Sequence, residues 1–313
     1  MNNKRVLLIA GGGTLGTYTA KELLSLGCFV DVLCPEDKIS YNDRLRYFKG
    51  LGSREVLEEI FLKNHYDGIV NFIHYKNVDE YKAIHPFLIS NTEHLIFLSS
   101  YRVYANEEQP ITESSPRIFD VTDNADYFTE EDYSCPKALA ENYLRSERMG
   151  EPWTIVRPVI SFSKWRMDLH MYSCNDLLEN DTFTLPVHAK DLHAGIDWAG
   201  NSGKLIARLL FNPRTFGNTY TVSSAQNLTW GEVADIYTEI LGIKIEWVDE
   251  SVFIENNTRL LTNPGKWVYN YDRKYDRLID NSAILSVTGL SAEDFVSISE
   301  GIRIELDNIK EGK

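Results

Sequence analysis

Short apolar segments alternate with amphipathic segments along the first half of the chain. Segments with the helical spacing of apolar residues separate continuous apolar runs that have the length of buried strands: RVLLIA, CFVDVLC, DGIVNFI, HLIFLSS and WTIVRPVISF. Strands that alternate with helices pair in parallel, and their crossovers place helices on both faces of the sheet. The pattern therefore predicts an α/β fold with a Rossmann-type, doubly wound parallel sheet.

A glycine-rich turn joins the first predicted strand to the first predicted helix, in the stretch IAGGGTLG. Without side chains in the turn, backbone N–H groups and the helix N-terminus can approach an anion closely. A strand, a glycine-rich turn and a helix in this order are typical of a site for the pyrophosphate of a dinucleotide. The cofactor contacts predicted in this loop are Gly11, Gly12, Gly13, Thr14, Leu15 and Gly16.

The residues at the end of the second predicted strand help to distinguish NAD from NADP as the bound dinucleotide. An Asp or Glu about 20 residues after the glycine loop binds the ribose hydroxyls of NAD, but Cys34 occupies that position here. Glu36 and Asp37 follow shortly afterwards, and the nearest cation for the 2′-phosphate of NADP is Lys38. The acidic pair favours NAD, and NADP is not excluded.

A tyrosine and a lysine stand four residues apart in YSCPKALAE, as Tyr133 and Lys137. On one face of a helix, the ammonium can lower the pKa of the phenol, so that the tyrosine exchanges a proton with a substrate hydroxyl. Because proline is tolerated in the first turn of a helix and not in its interior, Pro136 predicts that the helix begins here. Tyr133 is then expected at the mouth of a cleft.

Two serines, Ser99 and Ser100, end the predicted strand HLIFLSS. Ligands of open parallel sheets bind at the carboxyl ends of the strands, so these hydroxyls can reach a ligand. A serine-rich turn that binds nothing is the alternative.

These segments together resemble the extended short-chain dehydrogenase/reductases, the superfamily of the NAD-dependent nucleotide-sugar epimerases and dehydratases. SSYRVY is similar to the family's serine segment, YSCPKALAE to its Y-x-x-x-K-x-x-x-E segment, and TIVRP to the strand that leads into its substrate domain. GIDWA is similar to its Asp-x-Ala step. YDRLIDNSAI resembles its late D-x-S-K segment, with Ala283 in place of the lysine.

The resemblance implies roles for the residues that match the family's motifs. Tyr133 would be the general acid/base, Lys137 would tune it and bind the nicotinamide ribose, and Ser100 would bind the reacting oxygen. The family's 4,6-dehydratases carry an Asp-Glu pair directly after the serine, where this chain has Tyr101 and Arg102. Because arginine cannot act as a base, we expect epimerisation or carbonyl reduction of a nucleotide-activated sugar rather than 4,6-dehydration.

Several positions depart from the family's cofactor pattern. Leu51 stands where the family usually has an Asp near the adenine, and Ile73, His74 and Tyr75 stand where it prefers small alanines. These departures match a divergent branch of the superfamily that includes chloroplast stem-loop RNA-binding proteins. The alternative function is therefore a non-catalytic relative that binds a dinucleotide or RNA as a regulator. His74 could contact the nicotinamide, or it could be a strand-end histidine without a ligand.

Two sets of contacts complete the predicted site. The cofactor contacts outside the glycine loop are Cys34, Leu51, His74, Ser99, Tyr133, Lys137 and Pro158. The substrate contacts are Ser100, Tyr101, Arg102, Tyr133, Lys164, Arg166 and Arg273. Lys164 and Arg166 could meet a substrate phosphate or belong to a solvated loop. Arg273 lies in a tyrosine-rich stripe that could bind a base or sugar or pack in the core.

The alternating pattern loosens after Ser163, which suggests how the chain is divided. We expect residues 1–163 to form the dinucleotide-binding domain, to which a segment of about 190–233 returns. Residues 164–189 and 234–313 are expected to form a smaller C-terminal α+β substrate-binding part.

Composition restricts the partners and the location. The net charge of −14 repels phosphate backbones, so nucleic acid is not expected as a partner. The four cysteines have no metal-ligand spacing, which indicates reduced thiols in a cytoplasmic protein and no metal site. Neither a signal peptide nor a membrane span is apparent. The helix KALAENYLRSERMG could pair in a homodimer, by analogy with the superfamily.

Overall fold

The strands of the chain supply one large sheet and three small ones in the computed structural model, which describes residues 1–129 and 133–311. In chain order they are β1 (Arg5–Ile9), β2 (Phe29–Cys34), β3 (Leu45–Lys49), β4 (Tyr66–Asn71), β5 (Thr92–Leu98), β6 (Trp153–Pro158), β7 (Ile160–Phe162), β8 (Asp168–Leu169), β9 (Tyr172–Ser173), β10 (Thr182–Pro186), β11 (Ile196–Trp198), β12 (Asn218–Val222) and β13 (Lys244–Val248).

The α-helices lie mostly between these strands. They are α1 (Thr14–Ser25), α2 (Arg54–Phe61), α3 (Val78–Ile89), α4 (Ile118–Val121), α5 (Ala125–Thr129), α6 (Ser134–Glu147), α7 (Cys174–Glu179), α8 (Ala199–Leu209), α9 (Trp230–Leu241), α10 (Glu250–Asn256), α11 (Gly265–Val268), α12 (Ser282–Thr288) and α13 (Ile298–Lys310). Among the described residues, none of the helices has both the length and the hydropathy that a membrane span needs.

The central sheet has the strand order β3-β2-β1-β4-β5-β6-β12, and every neighbouring pair runs parallel. The chain builds outward from β1 to β3 and then returns to the other side of β1 with β4. The strand order therefore reverses between β1 and β4, which is where sheets of this kind bind ligands. The predicted Rossmann-type, doubly wound α/β fold is confirmed.

The apolar run of β1 explains why this strand lies at the centre of the sheet. Successive side chains of a strand point to opposite faces. Val6 and Leu8 pack in one apolar core, against α1 and α8. Leu7 and Ile9 pack in the opposite core, against α2, α3 and α6. A strand that is buried on both faces must be apolar at every position, which is the pattern of parallel sheets with helices on both sides.

The predicted strand WTIVRPVISF is divided into two. β6 belongs to the central sheet, whereas β7 pairs with β11. The division follows from the backbone hydrogen bonds, because Val159 N–H donates to the Val222 carbonyl and Ile160 N–H donates to the Gly195 carbonyl. The chain thereby passes from the sheet into a third apolar core, which contains Phe162, Trp230 and residues of α13.

Candidate functional site

Two cavities open beside the glycine loop at the carboxyl end of the sheet. Cavity A has a volume of about 540 Å³ and lies between the loop, the end of β5, the start of α6 and residues 264–273. Cavity B has a volume of about 620 Å³ and lies between the ends of β3 and β4 and helix α3. Ala10 and Phe72 line both cavities, so the two meet next to the glycine loop.

The glycine loop is packed so closely that side chains have no room at three of its positions, Gly11, Gly12 and Gly16. A Cβ on Gly16 would lie 2.3 Å from the Gly11 carbonyl oxygen, and a Cβ on Gly11 would lie 2.6 Å from the Leu8 Cβ. Gly13 is different, because a Cβ there would lie more than 4 Å from every described residue apart from its neighbours in the chain. Gly13 is also the N-cap of α1. The open space over Gly13 and the N-terminus of α1 suit an anion.

Ala10 enters the loop with a φ of +56°. This left-handed conformation costs an L-residue about 1–2 kcal/mol and suits glycine, the residue of the usual pattern at this position. The backbone of the loop therefore has the conformation expected for a glycine at this position, and Ala10 adopts it at a cost in the stability of the fold.

Cys34 lies beneath the loop and lines neither cavity. Its side chain is 1% exposed, and a Cβ on Gly12 would lie 2.7 Å from the Cys34 Cβ. Burial raises the pKa of the Cys34 thiol. Lys38 also contacts the loop and donates from Nζ to the Gly12 carbonyl at 2.8 Å.

Cavity B contains two of the predicted cofactor contacts, Leu51 and His74. Its wall is mostly apolar and includes Pro35 and Ile73. Gly52 makes room for this wall, since a Cβ there would lie 2.4 Å from the Ile73 Cδ1. A flat apolar ring fits such a cavity by its chemistry.

Tyr133 lines cavity A and is surrounded by three nitrogen-bearing side chains. Lys137 Nζ and Arg102 Cζ each lie 5.1 Å from the centroid of its ring. The His74 ring lies 4.6 Å away, with an interplanar angle of 34°. Lys137 is almost fully buried and donates from Nζ to the Leu98 carbonyl at 2.7 Å, which fixes its ammonium near the phenol.

Helix α6 begins at Ser134, directly after Tyr133, and Pro136 lies in its first turn. The predicted start of this helix is therefore confirmed, and Tyr133 stands at its N-terminal end. The preceding residues Glu130, Glu131 and Asp132 lie outside the described residues.

Ser99 and Ser100 both line cavity A, but their hydroxyls have different partners. Ser100 caps the 3₁₀ turn Tyr101–Val103, and its Oγ accepts a hydrogen bond from Arg102 N–H at 3.2 Å. Ser99 Oγ donates to Glu141 Oε1 at 2.6 Å. The Ser100 hydroxyl lies on the wall that Tyr133 also lines.

Glu141 is the centre of a buried ion network behind the site. Arg157 donates to its two carboxylate oxygens at 2.8 and 2.5 Å, and Arg117 donates to one of them at 3.1 Å. Burial raises the pKa of Glu141, but Arg157 outweighs burial and holds it at about 2. Sequence reasoning assigned Glu141 no role, although its position four residues after Lys137 placed it on the same helix face.

A second buried ion network lies on the opposite wall of cavity A. The π-helix Tyr269–Arg273 brings Asp272 and Arg273 to the cavity. Tyr101 donates from its hydroxyl to Asp272 Oδ2 at 2.7 Å, and Arg277 Nε lies 3.3 Å from Asp272 Oδ1. Burial raises the pKa of Asp272, but Arg273 and Arg277 outweigh burial and lower it.

Arg273, a predicted substrate contact, belongs to this second ion network. Arg273 pairs with Asp272 and with Asp168, the latter at 3.2 Å, and donates from Nε to the His170 carbonyl at 2.6 Å. Sequence reasoning missed Asp272 and Arg277, because their partner Tyr101 lies about half the chain away.

The loop after β7 places its two predicted substrate contacts differently. Arg166 lines cavity A, whereas Lys164 lines neither cavity. Lys164 Nζ lies 4.8 Å from the centroid of a Trp165 ring. The loop is attached to the glycine loop by a hydrogen bond of 2.8 Å between Thr14 Oγ1 and Ser163 Oγ.

Pro158, another predicted cofactor contact, lines cavity A at the end of β6. Within the described ranges, no group of three or more His, Cys, Asp or Glu side chains could hold a metal ion.

The comparisons with known proteins find similar solved structures but no match to the sequence. No protein-family model matches the chain, and no curated protein matches it. An epimerase from Methanothermobacter thermautotrophicus is similar in structure, with 15% identity, a TM-score of 0.70, and coverage of 99% of this chain and 94% of that one.

Two further solved structures contain NAD. The UDP-glucose 4-epimerase of Thermus thermophilus is 18% identical, with a TM-score of 0.67 and coverage of 98% of this chain and 99% of that one. A short-chain dehydrogenase/reductase superfamily protein from Agrobacterium tumefaciens is 14% identical, with a TM-score of 0.65 and coverage of 99% and 100%. The chain therefore has the fold that these epimerases and the short-chain dehydrogenase/reductase superfamily protein share.

Proposed function

We propose that the chain is an NAD-dependent oxidoreductase or isomerase of the extended short-chain dehydrogenase/reductase superfamily, and that it acts on a nucleotide-activated sugar. One observation carries this proposal. Tyr133 and Ser100 line the same cavity as an open glycine loop, and Lys137 Nζ lies 5.1 Å from the centroid of the Tyr133 ring. The fold of the NAD-containing neighbours supports it.

The cavities fit an extended dinucleotide. Cavity B would hold the adenine against Leu51 and Ile73, the space over Gly13 and the N-terminus of α1 would hold the pyrophosphate, and cavity A would hold the nicotinamide. Glu36 and Lys38 both lie at the loop, so NADP is the competing cofactor. When bound, the dinucleotide supplies the hydride acceptor and donor.

The side chains of cavity A have complementary roles in proton transfer. Tyr133 Oη accepts the proton of the substrate hydroxyl during oxidation and returns it during reduction. The Lys137 ammonium, fixed by the Leu98 carbonyl, holds a positive charge 5.1 Å from the centroid of the Tyr133 ring during this proton transfer. Ser100 Oγ holds the reacting oxygen in place. Tyr133, Lys137 and Ser100 therefore act together at a single carbon of the substrate, the one that carries the reacting oxygen.

The residues after Ser100 favour epimerisation or carbonyl reduction over 4,6-dehydration. Dehydration needs an acid and a base at the neighbouring carbons. Tyr101 is buried with its hydroxyl bound to Asp272, which raises the pKa of that phenol. Arg102 cannot act as a base. Neither residue can therefore supply the proton transfers of that reaction.

Replacing Tyr133 tests the proposal. We expect Tyr133→Phe to lower turnover by about 10²- to 10⁴-fold, the usual contribution of a positioned general acid/base, while dinucleotide binding is retained. Turnover is measured with a panel of nucleotide sugars by the absorbance of reduced nicotinamide and by product analysis. Tyr41→Phe is the matched control, because Tyr41 is 98% exposed. Unchanged turnover in Tyr133→Phe would overturn the proposal, and dinucleotide binding without turnover of any sugar would favour a regulator.

A further inference from the structure

Lys38 lies in the loop that joins β2 to β3, and its side chain turns towards the glycine loop. Residues 35–37 and Ile39 are exposed, whereas Lys38 is half-buried. Its Nζ donates to the Gly12 carbonyl at 2.8 Å. A lysine ammonium has three donors, of which this hydrogen bond uses one. Lys38 therefore places a positive charge at the glycine loop and can donate to a ligand there.

Two aromatic rings flank the ammonium. Lys38 Nζ lies 6.0 Å from the centroid of the Tyr47 ring on β3 and 5.9 Å from the centroid of a Trp165 ring in the loop after β7. The loop after β7 is itself attached to the first turn of α1 by the hydrogen bond between Thr14 and Ser163. The ammonium therefore lies between two segments that both reach the N-terminus of α1, the glycine loop and the loop after β7.

The position of the ammonium indicates which anion it would meet. Gly12 directly precedes Gly13, which is the N-cap of α1 and has open space where a Cβ would be. The pyrophosphate of a dinucleotide would lie in this space. The first turn of α1, residues 14–17, contains no lysine or arginine. A lysine binds phosphate as a point charge, so Lys38 can supply the side-chain cation that this turn lacks.

The 2′-phosphate of NADP is the other anion that a lysine after β2 could bind. An acidic residue after the second strand binds the ribose hydroxyls in folds of this kind. Glu36 follows β2 here, and its Oε2 would lie 2.8 Å from a Cβ on Gly12. A carboxylate next to the ribose accepts hydrogen bonds from the hydroxyls and repels a 2′-phosphate. The carboxylate of Glu36 therefore suits the ribose, and the ammonium of Lys38 suits the pyrophosphate.

We propose that Lys38 binds the pyrophosphate of the dinucleotide. The proposal rests on the proposed function, since it needs a dinucleotide that crosses the glycine loop. It goes beyond that function by assigning to the cofactor site a side chain from outside the glycine loop, and by separating Lys38 from recognition of the 2′-phosphate.

The test measures binding, so its result does not depend on the turnover of any sugar. Dissociation constants of NAD, NADP and ADP-ribose are measured by calorimetry with the full chain, and that of adenosine by competition with NAD. Lys38→Gln is expected to weaken NAD, NADP and ADP-ribose equally, by about 10-fold, the contribution of a hydrogen bond between charged groups. Adenosine has no phosphate and is expected to change by less than about 2-fold. Lys38→Arg keeps the charge and is expected to weaken NAD by less than about 3-fold. Added salt should weaken NAD binding more steeply in the wild type than in Lys38→Gln.

Lys244→Gln is the matched control, because it removes the same charge from a surface ion pair with Glu246 on β13, in a different sheet. A loss confined to NADP would show that Lys38 binds the 2′-phosphate, and an equal loss for adenosine would show that Lys38 only shapes the loop. Either result would overturn the proposal, as would an unchanged affinity for NAD in Lys38→Gln or a wild-type chain that binds no dinucleotide. A chain that binds NAD through Lys38 but turns over no sugar would contradict the proposed catalysis and still support this inference.

Discussion

Tyr133 shows how single residues build the site. The phenol is placed by the start of α6, its cationic neighbour Lys137 is held by a strand carbonyl, and Arg102 is held through Ser100. Each of these anchors is a backbone group or a neighbouring hydroxyl, so the protein itself positions these side chains. Such preorganisation is what makes charge stabilisation effective in an active site.

Ala10 gives the first prediction at the residue scale. Ala10→Gly is expected to raise the free energy of unfolding by up to about 1 kcal/mol, because glycine adopts the left-handed φ without strain and loses only part of that gain to unfolded-state entropy. Urea unfolding of both proteins measures the change. Ala83→Gly, at an exposed position inside helix α3, is the control and is expected to lower stability by about 1 kcal/mol. A less stable Ala10→Gly protein would contradict the prediction.

Glu141 gives a prediction about pH. Its pKa of about 2 lies below the unfolded value of 4.5, so the carboxylate stabilises the fold above pH 4.5, and this contribution is lost as the pH falls towards 2. Glu141→Gln leaves Arg157 buried without its full partner and is expected to lower stability by about 3–5 kcal/mol at neutral pH. The free energy of unfolding, measured with urea from pH 7 to pH 3, should decrease less in the variant than in the wild type. Equal decreases would contradict the assignment of this pH dependence to Glu141.

At the scale of elements, local patterns explain the sheet and distant contacts explain the site. The apolar run of β1 and the position of Pro136 depend on neighbouring residues, so the five apolar strands β1, β2, β4, β5 and β6 and the start of α6 could be predicted. The edge strand β3 is only partly buried and has no continuous apolar run. The division of β6 from β7 depends on carbonyls of Gly195 and Val222. The pairing of Tyr101 with Asp272 likewise joins remote segments, and no local pattern indicates it.

Helix α13 is attached to the loop after β7 through one carboxylate. Glu305 is 1% exposed and accepts hydrogen bonds from Trp198 Nε1 at 2.6 Å, from Lys164 N–H at 2.8 Å and from the Tyr18 hydroxyl. Because the loop carries Arg166 into cavity A, the last helix of the chain supports a wall of the site.

Removing this carboxylate is therefore expected to affect both stability and binding. Glu305→Ala leaves one buried and two partly buried donors without this acceptor, and a loss of about 3 kcal/mol is expected in urea unfolding. The KM for the sugar is expected to rise more than kcat falls, since Arg166 is displaced while Tyr133 is not. Glu311→Ala, beyond the end of the same helix, is the control. A variant in which kcat falls while the KM for the sugar is unchanged would contradict the role of Glu305 in supporting Arg166.

At the scale of the whole molecule, the glycine loop couples ligand binding to the stability of the fold. A ligand that binds only the folded chain adds about 2.7 kcal/mol at a concentration of 100 times its Kd. NAD is expected to raise the thermal unfolding temperature accordingly, and NADP to raise it less at the same concentration. Gly13→Val should remove the increase for both, because its side chain fills the space over the loop that a pyrophosphate would use. In the described ranges, only groups of the chain next to Gly13 itself lie within 4 Å of the new Cβ. The unliganded variant should unfold within about 1 kcal/mol of the wild type, as substitutions that disturb no packing usually do. Gly13→Ala adds one methyl group and is expected to give an intermediate shift. A Gly13→Val protein that NAD still stabilises fully would show that the dinucleotide does not cross the loop.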